Sequence, residues 1–144
     1  MHKNPYLSVT SVILAAALTA LGNGMMATFV PVRLNAEGVG QDQVGMVVTA
    51  YAVGMLLGCV YSGRFVRRVG HIRAFTAFAA IGTITALLMP TYVAAFSWTL
   101  FRVLGGFCTT AMFMTAQSWL NEVTWSKRRG RIMSLFYLSY TVSL

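Results

Sequence analysis

Acidic residues are almost absent from this chain: Asp and Glu number three in 144 residues, against eleven Lys and Arg. The three are Glu37, Asp42 and Glu122, and each falls in a polar linker or at the end of an apolar run. No two carboxylates stand paired for general acid and base work, no nucleophile sits beside a base, and no phosphate-binding Gly-x-x-x-x-Gly-Lys loop occurs. The residues therefore do not point to an enzyme. Cysteine is equally sparse. Cys59 and Cys108 form no C-x-x-C pair and lie inside apolar runs, which predicts two buried free thiols. With no His/Cys/Asp cluster to supply ligands, neither a metal nor another cofactor is expected.

Charge of either sign is scarce too, at 10% of residues against about a quarter in soluble domains, while 57% are apolar. So few charges cannot cover a water-facing surface. Uncharged runs occupy 4–32, 43–63, 74–101, 103–121 and 132–144, with lengths of 29, 21, 28, 19 and 13 residues. Crossing roughly 30 Å of hydrocarbon takes about 20 helical residues, so four runs are long enough and the fifth is short. His2 and Lys3 precede the first run as in a signal peptide, but the apolar part of such a peptide is roughly 7–15 residues and this one continues to Val30. A retained helix is the reading. The expected fold is all-α, a polytopic transmembrane bundle with spans at about 7–30, 44–66, 72–90, 97–120 and the start of a fifth at 132–144. Pro31 and Arg33 are expected to end the first span.

The net charge of +8 is arranged by loop and not along a groove-sized face, which argues against a nucleic-acid partner. Lys3, Arg64, Arg67, Arg68, Arg73, Lys127, Arg128, Arg129 and Arg131 fall on one side of the predicted membrane, and Arg33 alone on the other. Short cytoplasmic loops hold the positive excess, so the N-terminus is expected in the cytoplasm and 35–43 outside. Ala16, Ala20 and Gly24 in the first span, and Ala50, Gly54 and Gly58 in the second, make four-residue stripes of small side chains. Lipid gives helices no hydrophobic reason to associate, and such stripes let backbones approach.

The segment Gly63-Arg64-Phe65-Val66-Arg67-Arg68-Val69-Gly70-His71-Ile72-Arg73 resembles the signature loop of the major facilitator superfamily, in which Gly and an Asp-basic pair precede a second Gly and further basic residues. Gly63, Arg68 and Gly70 match in spacing, with Gly63 expected to admit a neighbouring helix and Gly70 to permit a sharp reversal. Arg67 stands where the family has Asp, and His71 and Ile72 replace two usually basic positions, leaving Arg73. In this respect the chain is similar to a poorly characterised bacterial branch. Arg102-Val103-Leu104-Gly105-Gly106 is similar to the Arg-x-x-x-Gly element of the family's fourth helix.

At about 100° per residue, Arg102, Gly106, Thr109, Phe113 and Gln117 share one helical face. An intramembrane arginine either meets a wet cavity or partner, or snorkels to the border; the resemblance favours the cavity. The branch often carries Glu at the Gln117 position, so an ionisable group is missing there. Thr19 and Asn23 share a face of the first span, where they either touch substrate or bond a neighbouring helix. Trp119 and Trp125 read as interfacial aromatics.

The resemblance implies a secondary transporter of the bacterial inner membrane whose partners are the lipid bilayer, a small-molecule solute and the missing C-terminal helices. Such a chain alone is not expected to transport, because the 13-residue last run reaches only about 20 Å as a helix. The competing readings are a small four-helix multidrug exporter acting as an oligomer, which needs an embedded carboxylate, and a non-transporting membrane subunit.

Overall fold

The computed structural model describes residues 5–91, 94–124 and 126–143, side chains 5–8, 123, 126–129 and 143 excepted. His2, Lys3 and Trp125 lie outside the described residues. The described backbone forms five helices and no strand: α1 (Pro5–Ala36), α2 (Gln41–Val69), α3 (His71–Leu88), α4 (Ala95–Val123) and α5 (Ser126–Ser143). The first four are long and apolar enough to cross a membrane. Large apolar side chains cover their outside, with Leu18 68%, Leu56 69% and Leu87 70% exposed, a surface suited to hydrocarbon and not to water.

Three helix ends differ from the sequence reading. Helix α1 does not stop at Pro31 but carries it inside and continues to Ala36. Proline there removes the N–H that would bond the Ala27 carbonyl and crowds that carbonyl with its ring, and on either side of it Val30 and Leu34 are fully buried in one apolar cluster. Helix α5 starts at Ser126, not near Ile132, so the basic run 127–131 forms its first turns and is not a loop. Its 18 residues extend about 27 Å. The presumed loop 63–73 is also mostly helix: 63–69 finish α2, His71 opens α3, and Gly70 alone separates them at φ +87°. That conformation suits a residue without Cβ, as expected of Gly70. Its N–H bonds Val66 O at 2.9 Å and its carbonyl accepts from Ala74 N–H at 3.0 Å, so one residue closes both helices. Gly63, by contrast, is exposed with open space where a Cβ would stand, and admits no helix.

The close approach lies deeper. Helix α4 touches all four other helices and packs most extensively on α2. The buried stripe of α2 runs Val44, Val47, Ala50, Gly54, Gly58, Ser62 and Val66, a spacing of three and four that keeps one face against α4. A methyl group on Gly54 would overlap the Val103 carbonyl, and one on Gly106 the Tyr51 carbonyl, while one on Gly58 would lie 2.8 Å from Phe107 O. The two backbones are therefore in direct contact, the arrangement small residues allow in lipid. Cys108 is buried beside this seam, but Cys59 is exposed on the far face of α2, one free thiol buried and not two. A carbonyl left over at the end of α3 is also satisfied: Trp98, fully buried at the start of α4, donates Nε1–H to Met89 O at 2.9 Å.

Candidate functional site

The Arg-x-x-x-Gly spacing of α4 works as a unit. Four residues apart, Arg102 and Gly106 lie on neighbouring turns of one face. Because Gly106 lets the backbone of α2 touch α4 at Tyr51, the phenol ring of Tyr51 comes to rest against the residue one turn back. Arg102 Cζ sits 4.3 Å from that ring's centroid. The side chain is 6% exposed and does not reach for the border. Its Nε is buried without a hydrogen-bond partner. No carboxylate pairs with it among the described residues: Glu37 pairs with Arg33, Glu122 lies beside His71, and Asp42 sits in the first turn of α2. A cation over an aromatic face gains about 0.5–2 kcal/mol, whereas a charge at the centre of a membrane helix costs roughly 3 kcal/mol on insertion scales. Tyr51 alone offsets that cost in part.

Beside Arg102 is a cavity of about 340 Å³, walled by α1, α3 and α4 with Tyr51 from α2. Of the residues singled out in the sequence, Thr19, Asn23, Arg102 and Thr109 line it. The other members of that α4 face go elsewhere. Gly106 is buried against α2 and does not open on the cavity. Phe113 lines a smaller space and packs on Phe136 and Tyr140, with ring centroids at 5.2 and 4.7 Å. Gln117 donates its amide to Tyr137 Oη of α5. The reason is that α4 is surrounded: one face of a helix that touches four neighbours meets several of them along its length.

The polar groups of the cavity differ in what they have left to offer. Thr19, Thr83, Thr85 and Thr109 each donate their hydroxyl proton to a carbonyl of their own helix, at 2.8, 2.9, 2.7 and 2.9 Å. Asn23 has no such partner and keeps its amide free. Met26, Met89, Met112 and Phe101 complete an apolar, adaptable wall. Sequence reasoning missed Tyr51 and the contribution of α3. Tyr51 adjoins Ala50 of a recognised small-residue stripe, yet only the position of Gly106 on the other helix says that it meets Arg102.

At the other end of α3, the signature segment makes one contact between helices. His71 Nε2 is 3.0 Å from Ser118 Oγ and 3.6 Å from Glu122 Oε1, joining the start of α3 to the last turns of α4. Gly63, Arg64, Arg67, Arg68 and Arg73 are exposed around it, Arg64 lying over Tyr61 at 6.0 Å. Trp119 is partly buried beside His71 and packs with Ala16, Ala116 and Leu120, so it is a core contact more than a border anchor. Among the described residues no three His, Cys, Asp or Glu side chains gather as a metal site would require.

Four membrane-long helices packed through glycines around a mostly apolar cavity that holds a buried arginine define a polytopic helical membrane protein. Residues 12–144 match the Major Facilitator Superfamily, and the chain belongs to that family, which is one of transporters and not of enzymes. It is 28% identical to an uncharacterized MFS-type transporter of Enterobacter sp. strain 638, over 87% of this chain and 33% of the relative. The transporter named YcaD in Salmonella enteritidis is 26% identical over 85% of this chain and 32% of its own length. YcaD of Escherichia fergusonii is likewise 26% identical, over 87% and 33%. The chain thus spans about a third of the length of the curated relatives it matches. No solved structure matches it.

Proposed function

We propose that the chain is the N-terminal portion of a secondary transporter that moves a small solute across a bacterial inner membrane by alternating access, with the Arg102 cavity as its solute site. The observation that carries this reading is the buried Arg102, with no carboxylate beside it and an unpartnered Nε, lining a cavity between helices. An apolar residue of similar volume would pack there at less cost, so a bundle selected for stability alone has no use for it. In this reading the opposing wall comes from C-terminal helices, for which the longer relatives have the length, and rocking of two halves opens the site to each side in turn. The nine-to-one division of basic residues favours a cytoplasmic N-terminus, with Gly70 and the start of α5 on the same side and 35–43 outside.

The test joins residues 1–144 to the remaining two thirds of the Enterobacter relative and measures counterflow of labelled amino acids, sugars and organic acids in proteoliposomes. Arg102→Leu is expected to lower saturable uptake at least about tenfold per inserted molecule. Uptake at the parental rate with equal insertion refutes the assignment of the cavity. Absence of saturable uptake across the whole panel refutes the transport reading.

A further inference from the structure

We infer that the Arg102 cavity binds a small organic anion, one oxyanion head with an apolar body, which deepens the proposed function and rests on it for the word solute. Three observations converge. First, the cavity holds one full positive charge, 94% buried, whose Nε has no partner and whose only described neighbour of opposite character is the face of Tyr51. A desolvated guanidinium is planar and presents fixed N–H donors, a shape that matches a carboxylate, sulfonate or phosphate edge.

Second, the donors and acceptors are sorted. The four threonine hydroxyls around the cavity have their protons held by helix carbonyls, so they offer lone pairs only. The groups free to donate are the Arg102 guanidinium, the Asn23 amide and the Tyr51 hydroxyl, on α4, α1 and α2. A ligand that is purely an acceptor at one end fits them, and a cation would meet the guanidinium as a like charge. Third, the rest of the wall is apolar, with Met26, Met89 and Met112 able to adjust to different shapes. The cavity volume of about 340 Å³ lies at the low end of small-molecule sites. One cation in such a wall matches one negative charge on a small, largely apolar molecule better than a polyanion or a sugar.

The probes are benzoate, benzamide and benzylammonium, which share a body and differ in head, with acetate and inorganic phosphate as heads without a ring. The full chain is placed in phosphatidylcholine nanodiscs at fixed ionic strength, and thermal unfolding is followed by circular dichroism as each probe is titrated. A ligand that binds only the folded state raises the midpoint with its concentration. Benzoate is expected to raise it with an apparent affinity at least about tenfold better than benzamide, benzylammonium to give no rise, and acetate to be weaker than benzoate. Arg102→Lys should retain part of the benzoate response and Arg102→Gln should lose it. Because benzoate and benzamide are compared in the unaltered chain, the result does not hang on any variant folding.

Equal responses to benzoate and benzamide, a response to no anion in the set, or a benzoate response intact in a folded Arg102→Gln protein would each overturn the inference. An anionic lipid head could present the same oxyanion. Replacing a third of the lipid with phosphatidylglycerol tests this: a rise in midpoint that needs Arg102 and abolishes the benzoate response assigns the site to lipid and overturns the organic solute. Anion binding without flux in the joined transporter would sink the transport reading and leave the site standing. Flux confined to neutral solutes would do the reverse.

Discussion

Adjacent glycines in α4 should respond in opposite directions to the same change. Gly106→Ala places a methyl group on the carbonyl oxygen of Tyr51, and a backbone oxygen inside a helix cannot rotate away as a side chain would. The α2 and α4 backbones must separate along a seam that also includes Gly54 and Gly58. Overpacking of this kind costs about 1–3 kcal/mol, toward the upper end where backbone must move. Alanine in place of glycine returns roughly 1 kcal/mol through lower chain entropy in the unfolded state. The net expectation is a loss of about 2 kcal/mol. Gly105, one residue earlier in the same helix, has nothing within 4 Å of the position an alanine methyl would take, so Gly105→Ala keeps only the favourable term and should gain about 0.5–1 kcal/mol. Reversible unfolding of the two variants in mixed micelles, read by circular dichroism against denaturing detergent fraction, measures the difference. If Gly106→Ala is as stable as Gly105→Ala, the backbone contact between α2 and α4 is not what holds these helices together.

Single cysteines at Glu37 and Arg129, in a chain lacking Cys59 and Cys108, should react with an impermeant maleimide from opposite sides of oriented vesicles; labelling from one side would refute the orientation proposed from the basic residues. Gly70→Ala should destabilise by about 1–2 kcal/mol although nothing crowds the site, because φ +87° strains any residue with a Cβ; unfolding measurements that show no loss would mean the turn relaxes to another conformation. Trp98→Phe leaves Met89 O without its buried donor and should cost about 1–3 kcal/mol, checked by the same unfolding assay, with a neutral result refuting the importance of that bond.

The number and order of helices were legible because hydrocarbon imposes a length on apolar runs, and the charges between runs mark their limits. Arg102, Asn23, Thr19 and Thr109 were legible as polar residues where polarity is expensive. Helix ends were not. A proline inside α1 and a run of basic residues opening α5 look like breaks in sequence, but a helix can continue past the hydrocarbon, and α1 runs through its proline with Val30 and Leu34 buried on either side. The role of individual glycines was hidden for a related reason. Gly63 and Gly106 occupy comparable places in recognisable patterns, and only the position of the neighbouring helix decides that one is bare and the other in contact. The face of α4 scattered among α2, α5 and the cavity because periodicity reports which residues share a side, not how many neighbours that side meets.

The lone residue between α2 and α3 leaves the two rods joined without slack. Consecutive Cα atoms across a trans peptide stand about 3.8 Å apart, so Val69 at the end of α2 and His71 at the start of α3 cannot part by more than two such links. A looser strap would let either rod tilt while the other stayed still. With Gly70 as the whole joint, and His71 held against Ser118 in the last turns of α4, the foot of α3 is tied to both helices of the glycine seam, while the cavity lining that α3 supplies lies toward its other end.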